Sequence, residues 1–211
     1  LPAASATTSK RPGLREMTSR AWVPMEPVEP RRATSRVSSG MRPIIHQTGT
    51  LDLMTITLRE VETADLDQFF RFQQDADAAH MAGFAPTNPK DRSIFDLHWS
   101  GLLNDEKSLV RTIDVDGVPA GSIAAFHATD QDPAEIMFWT DKQFWGQGVT
   151  TQAFDQFLQE FTTRPVQARV VEDNHGSLKI LESRGFEEVG EESVFSNARA
   201  AVVREKILQL G

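Results

Sequence analysis

The stretch "AEIMFWTDKQFWGQGVTTQAFDQFLQEF", residues 134–161, limits what the chain can fold into more than any other segment. Residues 134–140 are mostly apolar and read as a strand, with Glu135 and Met137 on one face and Ile136 and Phe138 on the other. Phe154, Phe157, Leu158 and Phe161 then recur at i, i+3, i+4 and i+7, which sets them along one face of a helix. Gly146 and Gly148 fall at the junction. A helix start leaves up to about four backbone N–H groups without intrahelical acceptors, and the macrodipole adds roughly 0.3–1 kcal/mol for a nearby anion. Glycines there remove the Cβ atoms that would hold a phosphate away, so the junction is either an anion cradle or an ordinary turn. It is not a Walker-type loop, because no Lys-Ser/Thr follows. The dinucleotide fingerprint fails too, since Thr151 stands where its third glycine belongs.

The flanking segments supply a sheet. "TITLREV" (55–61) opens as a strand, and Thr63 caps a helix with Asp65 and Asp67 in its first turn and Leu66, Phe69 and Phe70 on its inner face. "GFAPTNPKD" (83–91) breaks the chain before a short helix over 92–103. "SLVRTIDV" and "VPAGSIAAFHA" form a hairpin about Asp116-Gly117. A strand over 166–173 and a helix over about 175–184 follow, the latter ending where Gly185 suits a C′ position with Phe186 folding back. Two strands near 187–195 and 200–209 finish the chain. The order β-α-α-β-β-β-α-β-α-β-β predicts an α/β (α+β) domain, a mixed sheet with helices on both faces.

Charge and composition bound the function. Residues 1–53 hold eight Lys/Arg against four Asp/Glu, six of the eleven prolines and twelve Ser/Thr, with no sustained period. Such a segment is expected to be a disordered tail, and its Arg- and Ser-rich make-up is also that of transit peptides. Met54 directly precedes the first strand-like segment, so a domain over 54–211 with an extension before it is the expected organisation. Residues 54–211 carry 14 basic and 26 acidic residues, a balance that repels nucleic acid and favours a cationic partner. Cysteine is absent, which removes disulfides, thiolate metal sites and acyl-cysteine chemistry and fits a cytoplasmic protein. No run is long and apolar enough for a membrane span. His80, His127 and His175 lack metal-ligand spacing, so no metal site is expected.

Three segments together resemble one family. "Q-x-x-G-x-G", Gln143 to Gly148, is similar to the acyl-CoA loop of the GNAT superfamily of N-acetyltransferases. "AEIMF" resembles that family's fourth strand, and "NHGSLKILESRGFEEVG" (174–190) its second cofactor segment, Asn-x-x-Ser/Ala with a terminal Gly-Phe. The likeness covers about residues 55–210 in element order, and the loop and Asn-x-x-Ser phrases most resemble the ribosomal-protein N-terminal (alanine/serine) acetyltransferase branch. It implies the GNAT fold: a mostly antiparallel central sheet of six or seven strands with about four helices. It also implies acetyl-CoA as cosubstrate, an amine-bearing acceptor (a peptide N-terminus or a small molecule) and frequent homodimers.

Carried over, backbone groups of Phe138, Trp139 and Thr140 bond the pantetheine amides. The N–H groups of Gln143, Phe144, Trp145, Gly146, Gln147, Gly148 and Val149, with Thr150, hold the pyrophosphate. Asn174 contacts the CoA arm, or is a plain helix cap, or both. Glu135 matches the general base of several members; semi-buried, its raised pKa would suit that role, whereas facing outward it would be an ordinary strand residue. The tyrosine that many members use as acid falls at Leu181, and the chain has no tyrosine. Ser177 is what the ribosomal-protein branch offers instead, unless it only bonds its own backbone. His98 and Trp99 line the acceptor cleft or pack in the core, and Trp145 covers the adenine side or packs. Without cysteine, direct transfer in a ternary complex is expected. A CoA-binding module without turnover and an interaction protein are the alternatives.

Overall fold

A computed structural model describes residues 54–129 and 131–211, and the expectation of a disordered tail over 1–53 lies outside the described residues. Seven strands form one sheet: β1 (Ile56–Arg59), β2 (Leu109–Val115), β3 (Val118–Phe126), β4 (Ala134–Thr140), β5 (Val166–Val171), β6 (Glu187–Ser196) and β7 (Ala201–Leu210). Their spatial order is β1-β2-β3-β4-β5-β7-β6. Every pairing is antiparallel except β4–β5, which is parallel. The β2–β3 hairpin turns on Asp116 and Gly117, both at positive φ (53° and 83°), the backbone a two-residue turn between right-twisted strands requires. Asp116 also accepts the Thr55 N–H at 2.9 Å, tying the turn to the start of β1.

Five α-helices are described: α1 (Thr63–Phe72), α2 (Ala76–Ala82), α3 (Arg92–Leu103), α4 (Val149–Glu160) and α5 (His175–Glu182). One more lies between β1 and β2 than the sequence suggested. Asp75 starts it by accepting the Ala78 N–H at 2.9 Å, and Gly83 ends it in the left-handed conformation. Ala78, Ala79 and Ala82 are the buried residues of this short helix, a stripe too weak in hydrophobicity to stand out from the break that follows. The cap of α1 also differs from expectation. Thr63 is the first helical residue, Glu62 is the cap, and Asp65 reaches back to the Glu62 N–H at 2.9 Å.

Two apolar layers cover the sheet. On one face α4 and α5 pack Phe154, Phe157 and Leu181 against Ile136 and Phe138. On the other, α1 to α3 pack Phe69, Phe95 and Trp99 against Met137 and Trp139. β4 is buried along its whole length, the position its apolar composition dictates. Each fully buried phenylalanine contributes about 1.5–3 kcal/mol, so the 154/157 pair fixes α4, and with it the glycine loop, at the end of β4.

Candidate active site

The parallel strands part early. β4 and β5 register only at Ala134↔Val166 and Glu135↔Gln167, although β4 runs on to Thr140 and β5 to Val171. Beyond Glu135, β4 is paired along its β3 edge, through Ile136↔Ala125 to Thr140↔Gly121. Phe138, Trp139 and Thr140 are no more than 2% exposed, so what this stretch of β4 can offer a ligand is backbone groups on its β5-facing edge. That edge is a template for an extended, amide-bearing chain.

The glycine loop closes the wide end of this wedge. Lys142–Phe144 form one 3-10 turn; Phe144 packs on the α4/α5 layer and Trp145 on the opposite layer, so the loop is anchored from both faces. Trp145 Nε1 donates to the Thr140 carbonyl at 2.8 Å, and Lys142 lies over its ring while pairing with Asp77. Gln143 Nε2 donates to Asp141 at 2.7 Å and Gln147 Nε2 to the Gln143 carbonyl at 2.6 Å. Gly146 and Gly148 have φ of 68° and 76°, so the turn itself needs glycine, and no Cβ neighbour crowds Gly146. The loop is a tight turn, and Gly146 and Gln147 are exposed on it.

The four other α-helices begin with a capping carboxylate or amide, at Glu62/Asp65, Asp75, Asp91 and Asn174. Helix α4 begins at Gly148 with no capping side chain and no acidic residue in its first turn. The Val149, Thr150 and Thr151 N–H groups there are left for an anion. The Thr150 hydroxyl is already used, 2.8 Å from that of Thr140, so Thr150 has its N–H to offer.

Asn174 and Ser177 stand at the start of α5, beyond the C-terminal end of β5, as α4 stands beyond β4. Ligands of open α/β sheets bind in such a crevice. Asn174 Oδ1 accepts the Ser177 N–H at 3.1 Å and so caps the helix. Its Nδ2 and the Ser177 hydroxyl are buried without a hydrogen-bond partner among the described residues. An unsatisfied buried polar atom costs about 1–3 kcal/mol. A donor amide and a hydroxyl beside a strand wedge and an uncapped helix fit the amides, sulfur and pyrophosphate of a CoA thioester.

Glu135 sits where β4 and β5 are still paired, 7% exposed. Arg169 Nε donates to it at 3.3 Å, and the same guanidinium is bound by Glu192. Burial pushes the Glu135 carboxyl up, Arg169 opposes this, and Glu205 and Glu192 add to it; the result is about 7. Arg169, Glu192 and Glu205 belong to no motif in the sequence. Their common signal is charge on the Glu135 face of adjoining strands, which becomes visible once register is known.

A cavity of about 450 Å³ lies on the α1–α3 side, between the 83–91 loop, α3 and the β6–β7 end of the sheet. His98 and Glu205 line it. Trp99 does not; it is 2% exposed in the core, 4.9 Å from the Phe69 ring, with Nε1 lacking a partner among the described residues. Leu181, at the position of the family's tyrosine, is a fully buried core residue.

A family model described as an acetyltransferase (GNAT) domain matches residues 55–187. The chain belongs to the GNAT acetyltransferase family. Solved GNAT structures share the fold. Mycobacterium smegmatis RimJ in complex with CoA-disulfide is 23% identical at a TM-score of 0.61, covering 74% of this chain and 81% of that one. Ribosomal-protein-alanine N-acetyltransferase of Brucella melitensis is 17% identical at 0.62, covering 73% and 98%. The microcin C7 self-immunity acetyltransferase MccE, in complex with acetyl-CoA and AMP, is 19% identical at 0.60, covering 74% and 91%. No curated protein matches this GNAT chain. Among its described residues no helix is long and apolar enough to cross a membrane.

Proposed function

We propose that this GNAT chain transfers acetyl from acetyl-CoA to a primary amine, by direct transfer in a ternary complex. The observation that carries the reading is the alignment of three features along one wedge: the uncapped α4 start, the orphaned Asn174 and Ser177 atoms, and Glu135 at the closed end. In this reading the loop N–H groups from Gln143 to Thr150 hold the pyrophosphate, and the β4 edge from Phe138 to Thr140 bonds the pantetheine amides. Glu135 takes a proton from the acceptor ammonium. The freed nitrogen bonds to the acetyl carbonyl carbon as the carbon–sulfur bond breaks. The Ser177 hydroxyl gives its proton to the departing sulfur and regains the second one from nitrogen.

Energetics favour an α-amine or a small amine as acceptor. A base titrating at about 7 lies within roughly one unit of an α-amine, whereas a lysine at ~10.4 lies more than about three units away, so deprotonating the lysine costs roughly 3 kcal/mol more. A protein N-terminus, as in the ribosomal-protein branch, and a small-molecule amine both satisfy this.

The Glu135–Arg169 contact favours a second reading, a structural ion pair in a CoA-binding module without turnover. Thiol release from acetyl-CoA with a panel of N-terminal peptides and amines decides between them. Release supports the enzyme; thermal stabilisation by CoA without release supports the module; absence of both overturns the assignment of the wedge.

A further inference from the structure

The cavity of about 450 Å³ has the size of a small-ligand site, and one half-buried polar side chain in it is uncommitted. Ile94, Phe95 and Val194 give it apolar walls, and the other polar lining groups are engaged. Gln73 Nε2 donates to the Pro89 carbonyl at 3.0 Å and Asn197 Nδ2 to the Ala85 carbonyl at 3.2 Å. Asp91 caps α3, the Ser196 hydroxyl accepts the Arg199 N–H at 3.1 Å, and Glu205 has a partner of its own. Thr87 is exposed to water on the 83–91 loop. His98 is the exception: it lies edge-on to Trp99, and its imidazole makes no hydrogen bond to a described residue. Burial pushes its pKa down to about 4, so at neutral pH one ring nitrogen donates and the other accepts. A desolvated imidazole on an apolar cavity gains most from a ligand that supplies the missing hydrogen bond.

The cavity lies on the face of the sheet that carries Glu135. Met137 shares that face of β4 and packs in one apolar layer with Phe95. On β6, Val194 and Ser196 line the cavity at alternate positions after Glu192, and so on the same side of that strand. Glu192 in turn binds Arg169, the arginine that donates to Glu135.

Resting on the acetyltransferase reading above, we propose that His98 is a specificity residue for the acceptor: the cavity holds an apolar group of the amine, and the imidazole hydrogen-bonds to an uncharged amide or hydroxyl carried beside it. A peptide N-terminus with an apolar first residue offers both the apolar group and the amide. A plain arylalkylamine offers the apolar group alone and is the poorer acceptor.

The test sets phenylalaninamide against phenethylamine, which lacks the carboxamide, on the wild type and on His98→Leu, with the full chain and acetyl-CoA. Comparing the two proteins cancels the difference in basicity between the amines. His98→Leu is expected to raise KM for phenylalaninamide by about 3–10-fold, the loss of one hydrogen bond, and to change KM for phenethylamine less. His98→Gln, which keeps a donor and an acceptor, should restore most of the difference. Equal effects on the two amines, or none on phenylalaninamide, overturn the proposal while leaving the acetyltransferase reading intact. Binding read without turnover keeps the two apart. Titrating the full chain with phenylalaninamide should shift the His98 ring resonances, assigned through His98→Gln, even if no acceptor is acetylated. Resonances that phenylalaninamide leaves unmoved refute the proposal.

Discussion

Asp65 and Glu135 are both buried carboxylates that face an arginine, and their surroundings push them in opposite directions. Asp65, 2% exposed, takes both Arg59 guanidinium nitrogens at 2.7 and 2.8 Å, the Thr112 hydroxyl at 2.7 Å and the Glu62 N–H at 2.9 Å. Burial pushes its pKa up, but these donors outweigh it and hold the carboxyl below the usual range. Glu135 receives one longer bond from an arginine shared with Glu192, and burial prevails. Counting donors against desolvation thus separates an anchoring carboxylate from one able to exchange a proton near neutrality.

Substitution should separate them by observable. Glu135→Gln is expected to lower kcat by about 10²–10⁴, the range for losing a general base, while the protein stays folded. Asp65→Ala leaves Arg59 with Asp114 but removes its two bonds to the Asp65 carboxylate, the Thr112 hydroxyl's acceptor and the reach-back bond at the start of α1. It should cost about 3–5 kcal/mol in denaturant unfolding, with kcat per folded molecule unchanged. A stable Asp65→Ala protein, or a fully active Glu135→Gln protein, breaks the distinction.

The pH dependence should run in opposite directions. Asp65, lowered from 3.8, contributes stability that is present above that value and lost as pH falls through its folded pKa. Glu135 is raised from 4.5 to about 7, so its contribution is complete below 4.5 and lost as pH rises through 7. Glu135→Gln should therefore gain on the wild type by up to about 3 kcal/mol from acid to alkaline pH in chemical denaturation. Over the same interval wild-type kcat/KM should rise, levelling above about pH 7 as Glu135 loses its proton.

Much of this was legible in the residues, and the reason lies in range. The Phe154/Phe157 stripe, the Asp116-Gly117 turn and the Gly146-x-Gly148 junction are local patterns, and each stands in the structure as the sequence implies. Glu135 could be located, but whether it was buried could not be read from alternation, because β4 is covered on both faces. Its pKa depends on Arg169, Glu192 and Glu205, each 34 or more residues away in sequence and brought to it by strand pairing. His98 and Trp99 are adjacent on α3, and rotation by one residue puts the first at the cavity and the second in the core. No residue-type preference distinguishes those outcomes. The α2 cap failed as a signal because an Asp before an alanine-rich turn is also an ordinary loop.

The smallest expected effect sharpens the comparison at the other end of the wedge. Ser177 is fully buried, and its hydroxyl, unlike the carboxylate of Asp65, has no donor or acceptor among the described residues. Asp65 is a polar group whose every neighbour is committed to the fold; Ser177 is one the fold leaves unsatisfied. Removing a satisfied group destabilises, whereas removing an orphaned hydroxyl relieves its desolvation cost. Ser177→Ala should therefore raise stability of the ligand-free protein by about 1 kcal/mol, read as a higher Tm. If the hydroxyl serves the departing sulfur, the same variant should lose turnover while keeping its CoA-dependent thermal shift. A variant less stable than wild type would place Ser177 with Asp65, among the residues that hold the fold.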